Sequence, residues 1–199
     1  MSTTRTDPAD AEVLSRRPKR ADARRNYDKL TAAARHAFTE DGTSASLEDI
    51  ARRAGVGIGT LYRHFPTRQH LLEAVYVDEV EAMSRQAEEL TELPPWEALS
   101  EWLHRYVGFA ATKRALAEEL LAYTDKDAPV FASCRTAVTD AGELLLRRAQ
   151  DAGVARKDTS FMDVGRMISG IAAIRNAEPD EIERILELAL DGLRYRPDA

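Results

Sequence analysis

Between Ser46 and Pro66 the chain fits two short helical segments around one glycine, and no other feature constrains the fold as much. Ser46 is a good N-cap, with Asp49 at the third helical position, for a segment carrying Leu47, Ile50, Ala51 and Ala54 at helical spacing. Gly55 ends that segment, because a tight helix–helix corner needs a residue that enters the left-handed region without a Cβ penalty. A second segment covers about residues 58–65 and is closed by Pro66. Val56 in the turn, with Leu61 and Phe65 beyond it, closes a miniature apolar core against the first segment. Ala51 and Ala54 are small, as they must be where two helices cross closely. The pattern is that of a helix-turn-helix unit.

The rest of the chain is helical in the same terms. Tyr27, Leu30, Ala34, Ala37 and Phe38 fall on one face of a preceding helix that Asp41-Gly42 stops. Thr67 can cap a long helix running to about residue 91, and Pro95 suits the first turn of the next, about 95–111. Further helices are expected at about 113–123, 128–151, 159–174 and 179–195. No segment shows the sustained two-residue alternation of a half-buried strand. The expected fold is all-α, about nine helices: a three-helix helix-turn-helix domain, then a helical bundle. The expected organisation is a disordered basic arm over 1–20, the helix-turn-helix domain over 21–70 and a second domain over 71–199.

Composition narrows the class. At 199 residues, 44% hydrophobic and 31% charged, the chain can bury a core without staples. The single cysteine, Cys134, cannot form an intrachain disulfide. No run approaches a membrane span, and the first thirty residues lack the apolar core of a signal peptide, so a cytoplasmic protein is expected. The net charge of −6 is unevenly divided. Residues 1–70 hold 13 Lys and Arg against 9 Asp and Glu, while residues 71–199 hold 15 against 25. Arg16, Arg17, Lys19, Arg20, Arg24 and Arg25 cluster with only Asp22 to offset them. A basic end on an acidic body suits an anionic partner approached in one orientation; it also suits a solvated tail that only aids solubility.

With Leu61 and Phe65 inward, the second segment offers Ile58, Gly59, Thr60, Tyr62, Arg63 and His64 as its outward surface. Such a helix fits the major groove of double-stranded DNA. Gly59 permits close backbone approach, Thr60 can bond a phosphate or touch a thymine methyl, and Tyr62 and His64 can donate to phosphates. Thr43 and Ser44, Arg52 on the first segment, and Arg68 at the start of the next helix can reach the flanking backbone. The competing reading is that the helix pair is only a packing motif, in a helical small-molecule-binding protein or enzyme.

The run from Ala23 to about Tyr76 resembles the DNA-binding domain of the TetR family. The resemblance rests on Leu47–Ile50, Ala54-Gly55-Val56, Gly59-Thr60-Leu61-Tyr62-Arg63-His64-Phe65-Pro66 and Leu71-Leu72. It implies a bacterial, mostly repressing, homodimeric regulator with a helical ligand-binding C-terminal domain. Carried over by position, the family's DNA contacts fall on Thr43, Ile58, Thr60, Tyr62, His64 and Arg68. Gly57 departs from the usual capping serine or threonine, Ile58 from a frequent polar residue, and Arg68 from lysine. The remainder is similar to the SbtR-like branch of TetR-type C-terminal domains, through Pro95-Trp96-Glu97-Ala98-Leu99, Leu116–Leu121 and Leu188–Leu193.

In that body, Ile182, Ile185, Leu186, Ala189 and Leu193 form an apolar stripe, and the preceding helix combines Phe161 and Ile168 with small residues. These seven are the expected homodimer interface, with ordinary intrachain core as the alternative. Trp102, Arg105, Tyr106, Phe109, Tyr123, Phe131 and Met167 are the expected lining of a cavity for a small-molecule effector, although aromatics at helical spacing are more often plain core. His36, His64, His70 and His104 share no metal-ligand spacing, and no catalytic triad or nucleotide loop is seen. No metal, cofactor or enzymatic activity is expected. The combined expectation is a repressor that binds a palindromic operator as a homodimer and is released by a ligand. An activator on the same fold reads identically.

Overall fold

The computed structural model describes residue 18, residues 20–41 and residues 44–194. Among these are eight α-helices and one 3-10 turn. They are α1 (Ala21–Asp41), α2 (Leu47–Arg53), α3 (Ile58–His64), α4 (Arg68–Glu89), α5 (Pro95–Leu120), α6 (Pro129–Asp151), α7 (Phe161–Ile171) and α8 (Pro179–Leu193), with the 3-10 turn at Leu90–Glu92. No strand occurs among the described residues beyond an isolated bridge between Ala155 and Arg194. The fold is all-α, as its periodicity requires.

The expected break near residue 112 does not exist: α5 runs unbroken from Pro95 to Leu120. Thr112 is a mediocre helix former, costing only about 0.5 kcal/mol against alanine, and no proline or glycine lies between Gly108 and Leu120. Phe109, Leu116 and Leu120 are all buried, so the apolar stripe continues past the threonine. Two expected helices are one.

The chain divides into two compact units. Among the described residues, the first comprises those up to 79 with 113–134, and the second 80–112 with 135–194. In the first, Tyr27, Leu30, Ala34, Ala37 and Phe38 of α1 are all buried, as their spacing predicts. Ile50 and Ala51 of α2 and Leu61 with Phe65 at α3 join them. Each large side chain so buried contributes about 1.5–3 kcal/mol against exposure. Tyr27 packs on Phe65 with ring centroids 5.1 Å apart. Leu47, Ala54 and Val56 are only half-buried, at the rim of this core.

In the second unit Trp102 is fully enclosed, and its indole N–H donates to the Met83 carbonyl at 3.0 Å. Phe161 and Tyr106 stack around it, with centroids 5.5 and 5.2 Å from the indole. Ser160 caps α7 in a reciprocal box with Asp163. At Gly142 of α6 a Cβ would stand 2.2 Å from the Phe161 ring, so α6 and α7 approach only because that position has no side chain. Arg148 of α6 donates to the Thr91 carbonyl at 2.8 Å and fixes α6 to the 3-10 turn.

Candidate nucleic-acid interface

The geometry of α2 and α3 follows from three local devices. Ser46 accepts a hydrogen bond from the Asp49 amide at 3.0 Å and starts α2. Gly55 adopts φ of 66°, a conformation that a side chain would strain, and turns the chain between the helices. The Val56 amide then donates to the Ala51 carbonyl at 3.0 Å, closing the corner. Gly57 stands at the N-cap of α3 without a side chain to cap it, and the Thr60 and Leu61 amides reach its carbonyl.

Burial of Leu61 and Phe65 fixes which face of α3 looks outward. Ile58 is 38% and Tyr62 45% exposed, and Gly59 and Arg63 are exposed with them. Thr60 is half-buried and accepts from the Arg63 guanidinium at 3.1 Å, which holds that arginine along the helix. His64 is half-buried near the Tyr27 and Phe65 rings. Its burial, and then the charge of Arg63, push its imidazole below the usual value, so it is uncharged at neutral pH. Nothing stands within 4 Å of a Cβ built at Gly59. The protein's own packing therefore does not demand glycine there.

Arg52 pairs with Asp49 and remains mostly exposed, while Arg53 reaches both Asp49 at 2.5 Å and Glu40 at 3.1 Å. Desolvation tends to raise the Asp49 carboxyl, but the arginines beside it hold it below its ordinary value. Ser44 is exposed just ahead of α2, and Thr43 lies outside the described residues. Arg68 is placed otherwise than expected. Its guanidinium donates to the Ala45 carbonyl, lies 4.8 Å from the centre of the Phe38 ring and pairs with Glu119 at 3.6 Å. Both side chains of the pair are largely buried. Arg68 is thus an internal tie between the start of α4 and the end of α5, and no sequence signal connects it to Glu119.

The residues expected around an effector belong to both units. Trp102, Tyr106 and Phe109 form, with Phe161, an aromatic cluster in the second unit. Burial of the Tyr106 phenol raises its pKa, against a hydrogen bond with Ser169. Arg105 is exposed and paired with Glu101 at 2.8 Å. Tyr123 and Phe131 belong to the first unit, where Tyr123 is exposed and Phe131 is buried against Tyr76. Met167 is exposed on an open cleft of about 410 Å3, with Val164 of α7, Leu188 and Ala189 of α8, and Arg156 and Asp158 of the preceding link.

Among the expected interface residues, Phe161, Ile168, Leu186 and Leu193 are buried within their own chain. They are core, as the alternative reading had it, because they form the inward face of the α7–α8 pair. Ile182, Ile185 and Ala189 are half-buried. The outward apolar residues of the same segment are Met162, Met167, Ile174 and Leu188, the last 74% exposed. The moment of both helices points to the inner face, so spacing alone selected the core.

A family model described as "Bacterial regulatory proteins, tetR family" matches residues 30–75. A second, described as "Transcriptional regulator SbtR-like, C-terminal domain", matches residues 94–195, about half of the chain. The crystal structure of the TetR transcriptional regulator SCO0520 from Streptomyces coelicolor is similar at a TM-score of 0.76 and 41% identity, over 85% of this chain and 98% of that one. The chain belongs to the TetR family. It is a helix-turn-helix transcription regulator.

Two curated regulators extend the comparison. The HTH-type transcriptional regulator UidR of Escherichia coli K12 is 25% identical over 173 residues, covering 83% of this chain and 88% of UidR. The HTH-type transcriptional regulator SAR0097 of Staphylococcus aureus is 33% identical over 78 residues, and the match spans only 41% of its length. No described helix of this TetR-family chain is long and apolar enough to cross a membrane. The missing cap at Gly57 leaves the first amides of α3 to the backbone alone, a loss against serine of only about a few tenths of a kcal/mol.

Proposed function

We propose that this regulator binds a palindromic operator in double-stranded DNA as a homodimer, represses from it, and is released by a small-molecule effector. The observation that carries the DNA reading is the division of α3: Leu61 and Phe65 are buried, while Ile58, Gly59, Tyr62 and Arg63 face solvent. An isoleucine and a tyrosine left 38% and 45% exposed beside an open glycine present more apolar surface than the fold covers. They suit a helix lying in a major groove, with Ile58 against base methyls and Tyr62 on the phosphate backbone. Thr43, Ser44, Thr60 and His64 would flank that contact, and Arg52 would add charge at its edge.

The dimer follows from selectivity and from surface. One recognition helix reads too few bases, and half-sites one turn apart require two helices about 34–36 Å apart. The exposed Met162 and Met167 of α7, Ile174 of the following link and Leu188 of α8 supply apolar surface for the second copy. An effector bound near the Trp102, Tyr106 and Phe109 cluster would favour a dimer with mismatched spacing. A bias of about 1–3 kcal/mol lowers operator affinity about 5–150-fold.

The test is selection of bound duplexes from a random pool by purified protein, with Tyr62→Ala beside it. The expected result is an enriched palindrome that the variant fails to enrich. No enrichment at low salt by protein that mass spectrometry shows free of bound small molecules overturns the reading.

A further inference from the structure

In the second unit, His104 of α5 faces two carboxylates of α8. Its Nδ1 lies 2.7 Å from the Ser100 carbonyl oxygen. A carbonyl only accepts, so Nδ1 carries a proton and the neutral ring turns the Nε2 lone pair outward. Nε2 lies 3.2 Å from Glu183 and 2.9 Å from Glu187, and the three ligand atoms all lie within 4.8 Å of one another. A lone pair facing two carboxylate oxygens is repulsive, so the three groups hold a cation between them: a proton on Nε2, pairing the ring with both glutamates, or a metal ion shared by all three.

We propose that His104, Glu183 and Glu187 bind a divalent transition-metal ion of the zinc class, tying α5 to α8. Glutamates four residues apart share one helix face, so both reach the same point beside His104. Zinc bonds to nitrogen and oxygen of about 2.0–2.1 Å, at tetrahedral angles, set ligand atoms about 3.3–3.4 Å apart. The two imidazole–carboxylate separations of 2.9 and 3.2 Å meet that with shifts of tenths of an ångström. The two carboxylate oxygens, within 4.8 Å of each other, close on the ion by rotation of exposed side chains. One imidazole and two carboxylates form a ligand set zinc accepts, and the two negative charges match a dication. The Ser100 carbonyl supplies the outer hydrogen bond that fixes a metal-ligating histidine in its tautomer. Arg105, next along α5, is taken up by Glu101 and does not compete as the counter-charge. With both glutamates exposed, the fourth position is left to water. The site escapes a spacing search because Glu187 lies 83 residues beyond His104.

This site stands apart from the DNA reading, and so does its test. Untagged full-length protein, stripped by a chelator, is titrated with Zn2+ against a chromophoric competitor and with Co2+ followed in the visible. One Zn2+ per chain is expected, with Co2+ bands of a low-coordinate site. His104→Ala and Glu183→Gln should each weaken zinc binding by at least about tenfold and abolish those bands. Circular dichroism checks that both remain folded, and Glu183 is exposed, so its variant has no packing to lose. Zinc binding unchanged in either folded variant overturns the assignment. So does absence of stoichiometric binding by the wild-type chain, which would leave a proton as the bridging cation.

Discussion

At the scale of single residues, α3 separates what holds the fold from what faces outward. Gly59 sits inside a helix, where glycine costs about 0.5–1 kcal/mol against alanine, yet a Cβ there would meet nothing. Gly59→Ala should therefore raise the unfolding free energy by about 0.5–1 kcal/mol in urea denaturation while weakening operator binding. A stabilised variant with unchanged affinity would remove Gly59 from the contact surface. Arg68 makes the opposite case. Its charge is held by Glu119 and the Ala45 carbonyl, so Arg68→Ala should destabilise the protein by about 3 kcal/mol, the cost of stranding a largely buried partner. An arginine serving only DNA phosphates would leave the denaturation midpoint where it is.

At the scale of elements, the helix-turn-helix was legible because its determinants are local. Ser46, Gly55 and the buried Ile50, Leu61 and Phe65 lie within twenty residues, so spacing and turn chemistry fix the corner. What was not legible depends on distant partners. The break expected between about 111 and 113 is absent because α5 is carried through Thr112 by the burial of Phe109, Leu116 and Leu120, which depends on partners distant in sequence. Phe161, Ile168 and Leu186 share an apolar stripe whether they meet their own chain or a second copy, and only the fold shows that they meet their own. The seven effector candidates were grouped by residue type, and the fold divides them between two units. Gly142 carries no local signal, since the ring it accommodates lies on another helix. Gly142→Ala should cost about 1–3 kcal/mol, read as a lowered denaturation midpoint, because the Phe161 ring must move from a packed site.

The link between α6 and α7 is held by charge. Arg156 grips Asp158 through two hydrogen bonds of 2.6 and 2.8 Å, and its backbone amide donates to the Leu193 carbonyl at 3.0 Å. The Arg156 hydrogen bonds pull the Asp158 carboxyl down to about 2, from an ordinary value near 3.8. A depressed acid contributes stability above its unfolded pKa and loses it as pH falls through the folded one. The clasp should therefore hold at neutral pH and loosen between about pH 4 and 2. An NMR titration of the Asp158 carboxyl carbon should show a midpoint near 2 in the wild-type chain and a normal one in Arg156→Ala.

For the whole molecule, regulation by a TetR-family chain turns on the surface where a second copy would sit. Leu188, 74% exposed on α8, stands at the proposed seat of the second copy. Leu188→Glu should shift the sedimentation coefficient from dimer to monomer and remove cooperative operator binding, with the helical content intact. A dimer that survives this change would move the interface elsewhere.

The outward face of α3 is proposed to read DNA rather than to hold the fold. That reading is tested most directly by measuring operator affinity and unfolding free energy on the same preparations of wild type and Tyr62→Ala, across a salt series. The account predicts a variant at least about tenfold weaker on the operator, with stability within about 0.5 kcal/mol of wild type. Wild-type affinity should fall by about 10³–10⁵ between about 50 and 200 mM salt, as expected for roughly 6–10 phosphate contacts. Loss of stability in the variant without loss of affinity would contradict it, and would leave the helix pair as a packing motif.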